Sequence, residues 1–389
     1  DLLDRVKALS YAGCPPLSSA LVDMLGDLSK RILSDPSAQS VPQYVALAYW
    51  LRPSSIRRLS KHLAATDAPS QHRVARGVAL HLPPTNVDTL FVYSWALSVL
   101  AGNANIVRLP KTPSRDTQWL VSVVTEVVAA HNESERQLFC HYAYGEAIDR
   151  EISSEIDLRM IWGGDEKVAA VSEVPIRPDG LSVGFPDRQS FAIIDASAYK
   201  AASPTERDEL AKKFFNDTYW FDQMGCGSPR LLIWLGDADR CTDEFYQRLR
   251  TVIDHLEYRV DTGTAIAKFR SANDLLAVGT TSTYKRHGNA LDVSRVNDPQ
   301  SALDTVKGGG FLYEWMVDDI DTVAEVVTRK TQTITHFGLN ADQLQHLATA
   351  ISSRGAYRIV PIGEALSFEP IWDGIDLYAH MTRKIVIRA

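Results

Sequence analysis

Short apolar runs alternate with amphipathic stretches from about residue 72 to the end of the chain, and no other feature constrains the fold as much. Residues 74–82 read as a strand ending at Pro83-Pro84. A helix is expected from near Asn86 through Leu100, stopped at Gly102. Strands at 105–109, 139–143 and 157–162 then alternate with helices at 116–130 and 147–153. The last strand runs into Gly163-Gly164, and a helix opens near Asp165. The second half repeats the habit, with strands at 191–195, 230–235 and 311–317 and helices at 205–215, 243–258 and 320–329. Strands separated by helices argue for a parallel sheet wound on both faces. Ahead of this pattern, residues 1–66 are expected to be helical, with Leu17, Leu21, Met24, Leu25 and Leu28 at three- and four-residue spacing. Residues 64–70 read as a linker, and 383–388 as a β-rich tail.

A chain of 389 residues exceeds one ordinary core and calls for two or three domains. The expected division is a helical region at 1–66, an α/β region at 67–197, a second α/β region at 198–365 and a tail at 366–389. Net charge is −7 with no long basic run, which argues against nucleic acid as a partner. No apolar stretch is long enough to span a membrane. The start at Asp1 has neither an initiator Met nor the regions of a signal peptide, and reads as a trimmed chain. Cys14, Cys140, Cys226 and Cys241 show no CxxC and no zinc-ligand spacing, so no metal is expected. Free thiols in a reducing, cytoplasmic setting are the simplest reading.

Cys226 is the leading candidate for chemistry. It sits in Gly225-Cys226-Gly227-Ser228-Pro229, between an aromatic-rich stretch and a strand. Small flanking residues let a substrate approach a thiol closely, and the thiolate is a strong nucleophile. The bland alternative is a small core residue. Gly163-Gly164, at a strand-to-helix turn, can hold an anion on backbone N–H groups, or can be a tight turn with Asp165 as N-cap. Arg108, at a strand end, can grip a phosphate bidentately, with Lys111 adding charge; either can equally be solvated. Asn86, after two prolines, is either a helix N-cap or a side-chain amide aimed into a cleft. His336 is the best placed of the ten histidines to line a site, though a structural role serves it as well.

Taken together, Pro83-Pro84-Thr85-Asn86, Tyr93-Ser94-Trp95, Gly102-Asn103-Ala104-Asn105, Asp222-Gln223 with Cys226-Gly227-Ser228-Pro229-Arg230, Ile359-Val360-Pro361-Ile362-Gly363 and Ile371-Trp372-Asp373-Gly374 resemble the long-chain acyl-CoA reductase family of bacterial luminescence, LuxC type. That family resembles the aldehyde dehydrogenase superfamily. The resemblance implies an α/β fold with a Rossmann-like cofactor domain, an α/β catalytic domain and a small oligomerisation element. It implies Cys226 as nucleophile, Asn86 as oxyanion donor, Gly163-Gly164 at the pyrophosphate and Arg108 near the adenosine ribose, with NADPH as cofactor. The expected substrate is an acyl-CoA or acyl-carrier thioester, reduced to the aldehyde. An acyl-protein synthetase partner and a homodimer or larger oligomer are also expected, the strand near Val74 and the tail serving association. Residues 181–186 lack the Glu that activates hydrolytic water in oxidising relatives, which fits a reductase. Glu314 lies near, but out of register with, a ribose-binding Glu. Gly227 stands where the family often has Ser, and a roomier loop with little further effect is expected. Oxidative aldehyde dehydrogenation, acyl transfer and an inactive acyl-carrier-binding scaffold are the alternatives.

Overall fold

The computed structural model describes residues 2–9, 14–64, 70–84, 86–143, 145–303 and 307–388. The linker expected at 64–70 lies outside them except for its two ends, and so does Thr85 of the Pro-Pro-Thr-Asn segment. The chain forms two compact units, Asp1–Asp187 with Phe368–Ala389 and, between them in sequence, Arg188–Ser367.

The first unit contains β1 (Gln71–Ala75), β2 (Val78–Leu82), β3 (Ala104–Arg108), β4 (Gln137–Cys140), β5 (Leu158–Trp162) and β6 (Leu181–Phe185). Five of these make an all-parallel sheet in the order β4-β3-β2-β5-β6. The single strand expected at 74–82 is two strands of different sheets. The break falls at Gly77, where φ is +136° and a Cβ would stand 2.0 Å from the Asp157 carboxylate, so only glycine fits. Asn103 fixes this bend. Its Oδ1 accepts the Arg76 and Gly77 N–H groups, and its Nδ2 donates to Met381 O.

Helix Leu90–Leu100 is apolar on every face because every face is covered. Trp95, Val99 and Leu100 share one core with Leu21, Leu25 and Leu28 of helix Ser19–Leu33 and with Leu120 and Val124 of helix Arg115–Ala130. The N-terminal helices therefore belong to the first unit and are not a region apart. An aromatic cluster of Tyr93, Trp162, Phe368 and Trp372 holds the returning C-terminal segment.

The second unit contains β7 (Gln189–Asp195), β8 (Pro229–Leu235), β9 (Thr281–Arg286), β10 (Asp292–Val296), β11 (Phe311–Val317), β12 (Thr331–Phe337) and β13 (Arg358–Pro361), in the order β13-β12-β7-β8-β11-β10-β9. Only β9 runs antiparallel to its neighbour. Alternate residues serve two cores: Phe191, Ile193, Leu231 and Ile233 on one face, Ala192, Ile194, Leu232 and Trp234 on the other. Both faces are buried, so these strands read as unbroken apolar runs. Because β7 belongs to this sheet, the units part after Asp187 and not at 197.

The chain returns to the first unit through the short pair β14 (Ile371–Trp372) and β15 (Ile375–Asp376) and ends in β16 (Thr382–Val386). β16 pairs antiparallel with β1, from Gln71 opposite Val386 to Ala75 opposite Thr382. The two strands singled out for association are thus partners within one chain.

Candidate active site

The loop carrying Cys226 joins helix Pro204–Tyr219 to β8. It opens with two left-handed residues in a row, Asp222 (φ 51°) and Gln223 (φ 63°), neither of them glycine. Backbone strain of this kind costs about 1–3 kcal/mol per residue and persists only when its surroundings impose it. Gln223 supplies the constraint. Its buried Nε2 donates to Pro229 O (3.0 Å) and Phe311 O (2.9 Å), and its Oε1 accepts the Gly310 N–H. Asp222 O accepts the Gly309 N–H. Further along, Ser190 Oγ donates to Cys226 O at 2.7 Å and accepts the Thr333 N–H at 3.1 Å. The loop is thereby tied to β7, β11 and β12, and Cys226 stands half-buried just ahead of β8.

Glycine at 227 does not make the loop roomier. A Cβ there would stand 2.6 Å from Ala365 O, so the space is already filled by backbone. At Gly225 the nearest atoms are the Ser228 hydroxyl at 3.2 Å and a Leu366 methyl at 3.4 Å. The segment that closes on the loop is held by Asp217, whose carboxylate accepts the Gly363 N–H (2.7 Å) and the Ala365 N–H (3.0 Å). Burial pushes the Asp217 carboxyl up to about 7; the two N–H donors and the charge of Arg358 oppose that shift without cancelling it. Burial raises the Cys140 thiol to about 11 and also raises that of Cys241, keeping both protonated.

In the first unit, strand order reverses between β2 and β5, and ligands of open α/β sheets bind outside the carboxyl ends of strands at such a point. Those ends carry Pro83-Pro84 and Gly163-Gly164. Gly164, and not Asp165, is the N-cap of helix Asp165–Glu173, so no side chain caps it there; Asp165 Oδ1 accepts the Asp187 N–H instead. No heavy atom lies within 4 Å of a Cβ built on Gly164, which leaves the first helical turn open to a ligand. Lys167 lies across the reversal, its Nζ donating to Leu82 O, Pro83 O and Trp162 O. Burial, reinforced by the charge of Arg108, lowers its pKa to about 8.

Beside Lys167 opens a cavity of about 350 Å³, walled by Leu80, Leu82, Tyr142, Arg159 and Val171. Arg108 donates from Nε and an Nη to Tyr142 O (3.2 and 3.0 Å), with its guanidinium 5.0 Å from the Tyr142 ring centroid. A mostly apolar slot of this size takes a flat heterocycle, and the neighbouring cations and open helix turn take phosphates. The residues present fit a dinucleotide. Asp165 and Glu166 in the same helical turn work against an anion. Lys111 is exposed on the turn after β3.

Asn86 is exposed and is not a helix cap: the helix begins at Leu90, with Thr89 at the N-cap position. Asn86, Arg108, Gly163 and Gly164 lie in the first unit and Cys226 in the second. Glu314 is committed elsewhere, accepting from Tyr246 Oη and pairing with Arg295, both at 2.8 Å. His336 is half-buried on β12, and burial lowers its pKa. Sequence reasoning passed over Ser190, Asp217, Gln223 and Lys167 as functional residues. Three carried a signal: Gln223 within the Asp222-Gln223 segment of the resemblance, Asp217 as a carboxylate in an aromatic helix end, and Lys167 one turn beyond Gly163.

Among the described residues, no helix is long and apolar enough to cross a membrane. Solved structures share the fold. Aldehyde dehydrogenase 21 from Physcomitrella patens, in complex with succinate, superposes with a TM-score of 0.71 at 11% identity over 99% of this chain and 89% of that one. A mutant of aldehyde dehydrogenase C from Pseudomonas syringae, in complex with NAD+ and octanal, gives 0.67 at 14% identity over 99% and 88%. The fold is therefore that of the aldehyde dehydrogenases. Long-chain acyl-protein thioester reductase 2 of Photobacterium leiognathi is 27% identical over 185 residues, which are 46% of this chain and 37% of that protein. The chain thus matches little more than a third of that relative's length. The model of the acyl-CoA reductase (LuxC) family matches residues 52–384, nearly the whole chain, and the protein belongs to that family.

Proposed function

We propose that this protein reduces an acyl thioester to the aldehyde through an acyl group carried on Cys226, with NADPH as reductant. The observation that carries the reading is the Cys226 loop itself: a half-buried thiol between two glycines, locked by Gln223 and Ser190, in a member of an acyl-CoA reductase family. In this scheme the Cys226 thiolate attacks the thioester carbonyl, a new C–S bond forms, and the original thiol leaves as thiolate. The Asn86 amide and the Cys226 N–H hold the oxyanion, a donor of this kind being worth roughly 3–4 kcal/mol. Cys226 later departs as thiolate from the hemithioacetal, releasing aldehyde. A reduced nicotinamide, when bound, supplies the hydride that this conversion requires. Arg108, Lys167 and the Gly163-Gly164 turn are the residues that would hold it, with Lys111 adding charge. Membership of the family implies a nicotinamide cofactor; the choice of NADPH rests on Arg108. The absence of a carboxylate from β6 favours hydride over water as the group that resolves the acyl-enzyme.

The test is to incubate the protein with a long-chain acyl-CoA and no cofactor, then map the adduct by mass spectrometry. The acyl group is expected on the Cys226 peptide and absent in Cys226→Ala. Added NADPH should then be oxidised with release of aldehyde. An adduct on Cys14, Cys140 or Cys241 overturns the assignment, and acylation without NADPH oxidation points to acyl transfer. Asn86→Ala is expected to slow acylation about a hundredfold; a loss that instead tracks a lower melting temperature would make Asn86 a structural residue.

A further inference from the structure

Four arginines far apart in sequence converge on one cleft of the second unit. Arg188 precedes β7, Arg329 precedes β12, Arg358 opens β13, and Arg354 lies in the turn between helix Ala341–Ala350 and β13. Because β13, β12, β7 and β8 are parallel neighbours, their leading ends form one rim, and the Cys226 loop enters β8 at that same rim. The cleft has a volume of about 670 Å³, with the Ser352 and Ser353 hydroxyls on its wall and, among the described residues, no carboxylate lining it.

Arg354 donates to Ala324 O, and Arg358 to Ala365 O and Glu364 O. These neutral carbonyls orient two guanidiniums without cancelling their charge. A guanidinium has five N–H donors, so each keeps further donors for a ligand. In a chain of net charge −7, a cleft with this composition is a local reversal of the field. Arg358 also links the cleft to the nucleophile, because Ala365 O, which it grips, is the atom that lies against Gly227.

We propose that this cleft binds the phosphate groups of the acyl donor, those of coenzyme A or the phosphodiester of a carrier-bound phosphopantetheine. The inference rests on the acyl-thioester reading above. Arginine in place of lysine suits bidentate capture of phosphate oxygens. The pantetheine arm separates the phosphates from the thioester, so a phosphate seat on the rim that presents Cys226, but several residues from it, matches the donor's own layout.

The experiment measures binding of free coenzyme A by calorimetry to the wild type, Arg329→Ala, Arg354→Ala and the double variant. Both side chains are exposed. Affinity is expected to fall roughly tenfold per guanidinium, as loss of a charge-assisted contact implies, and wild-type binding to weaken with added salt. The kinetic preference for acyl-CoA over an acyl N-acetylcysteamine thioester, which lacks phosphates, should shrink by a similar factor. Competition separates the sources: 3′,5′-ADP displaces a ligand held by the nucleotide end, and 4′-phosphopantetheine one held by the phosphate common to both donors. Equal affinities in wild type and variants overturn the proposal, as does a wild type that binds no coenzyme A. Because free coenzyme A carries no acyl group, these outcomes are independent of whether Cys226 is acylated, which the adduct experiment decides separately.

Discussion

Replacing Gly227 by alanine tests whether backbone contacts set the position of the nucleophile. The added Cβ would lie 2.6 Å from Ala365 O. Carbon–oxygen contacts settle near about 3.3 Å, so one side must retreat by roughly 0.7 Å. Ala365 resists, since its N–H is held by Asp217 and its carbonyl by Arg358. The displacement therefore falls on the loop and moves Cys226. A misplacement of about 1 Å can cost on the order of a hundredfold in rate, and overpacking costs about 1–3 kcal/mol in stability. Gly227→Ala is thus expected to slow acylation between roughly tenfold and a hundredfold and to lower the melting temperature. Gly225→Ala is the control, because the nearest atoms to its Cβ are the rotatable Ser228 hydroxyl at 3.2 Å, a Leu366 methyl at 3.4 Å and a Phe221 ring carbon at 3.7 Å, none of them backbone. Its rate is expected within about threefold of wild type and its stability within about 0.5 kcal/mol. The assay is rapid-quench acylation from acyl-CoA read by intact mass, with thermal unfolding in parallel. Wild-type acylation and stability in Gly227→Ala, or equal losses in the two variants, would refute the reasoning.

Asp217→Asn bears on the same segment through pH. The folded carboxyl sits at about 7 against an ordinary 3.8. The folded state thus keeps a proton that the unfolded chain loses between those values. The resulting stability is fully present below the unfolded value and disappears as pH rises through 7, by on the order of 4 kcal/mol. Urea unfolding at pH 5 and pH 8 should show about 2–3 kcal/mol of that drop in the wild type, since part of it is already lost by pH 5, and a much smaller change in Asp217→Asn; equal drops would count against it. Arg108→Ala is expected to weaken NADPH about ten- to a hundredfold while NADH barely changes, and equal losses for both would place cofactor choice elsewhere. Lys167, lowered to about 8, should make cofactor affinity fall as pH rises through that value. In Lys167→Met the affinity should be lower and flat across the same range, as titration calorimetry would show. Light scattering at micromolar protein is expected to find a dimer or larger species, and a monomer alone would contradict the association that the family resemblance implies.

The alternation of strands and helices was legible because each buried strand is an unbroken apolar run, and the Cys226 loop because its glycines and proline punctuate the chain. The boundary after Asp187 was not legible. The chain passes from β6 to β7 through only Pro186-Asp187-Arg188, and β7 is as apolar as any strand of the first sheet. The split at Gly77 was hidden for a related reason, since a single glycine does not announce a carboxylate brought in from residue 157. The position of Asn86 two prolines downstream invited a helix start, but the first helical turn forms only at Leu90. Asp217 and the four arginines owe their roles to neighbours supplied by sheet register, and no local pattern encodes register across more than a hundred residues.

The C-terminal return has a consequence for synthesis. Arg383 pairs with Asp157, Asn103 holds Met381 O, and β16 is the partner of β1, so the first unit takes contacts from residues made only after the whole second unit. Residues 188–367 are contiguous and can fold while the chain is still growing. The first unit, although it begins first, must wait with β1 unpaired until residues 382–386 have emerged. Arrested nascent chains that stop short of residue 382 should therefore show a protease-resistant second unit beside a still-sensitive first one, and resistance in both would show that the tail is dispensable for folding.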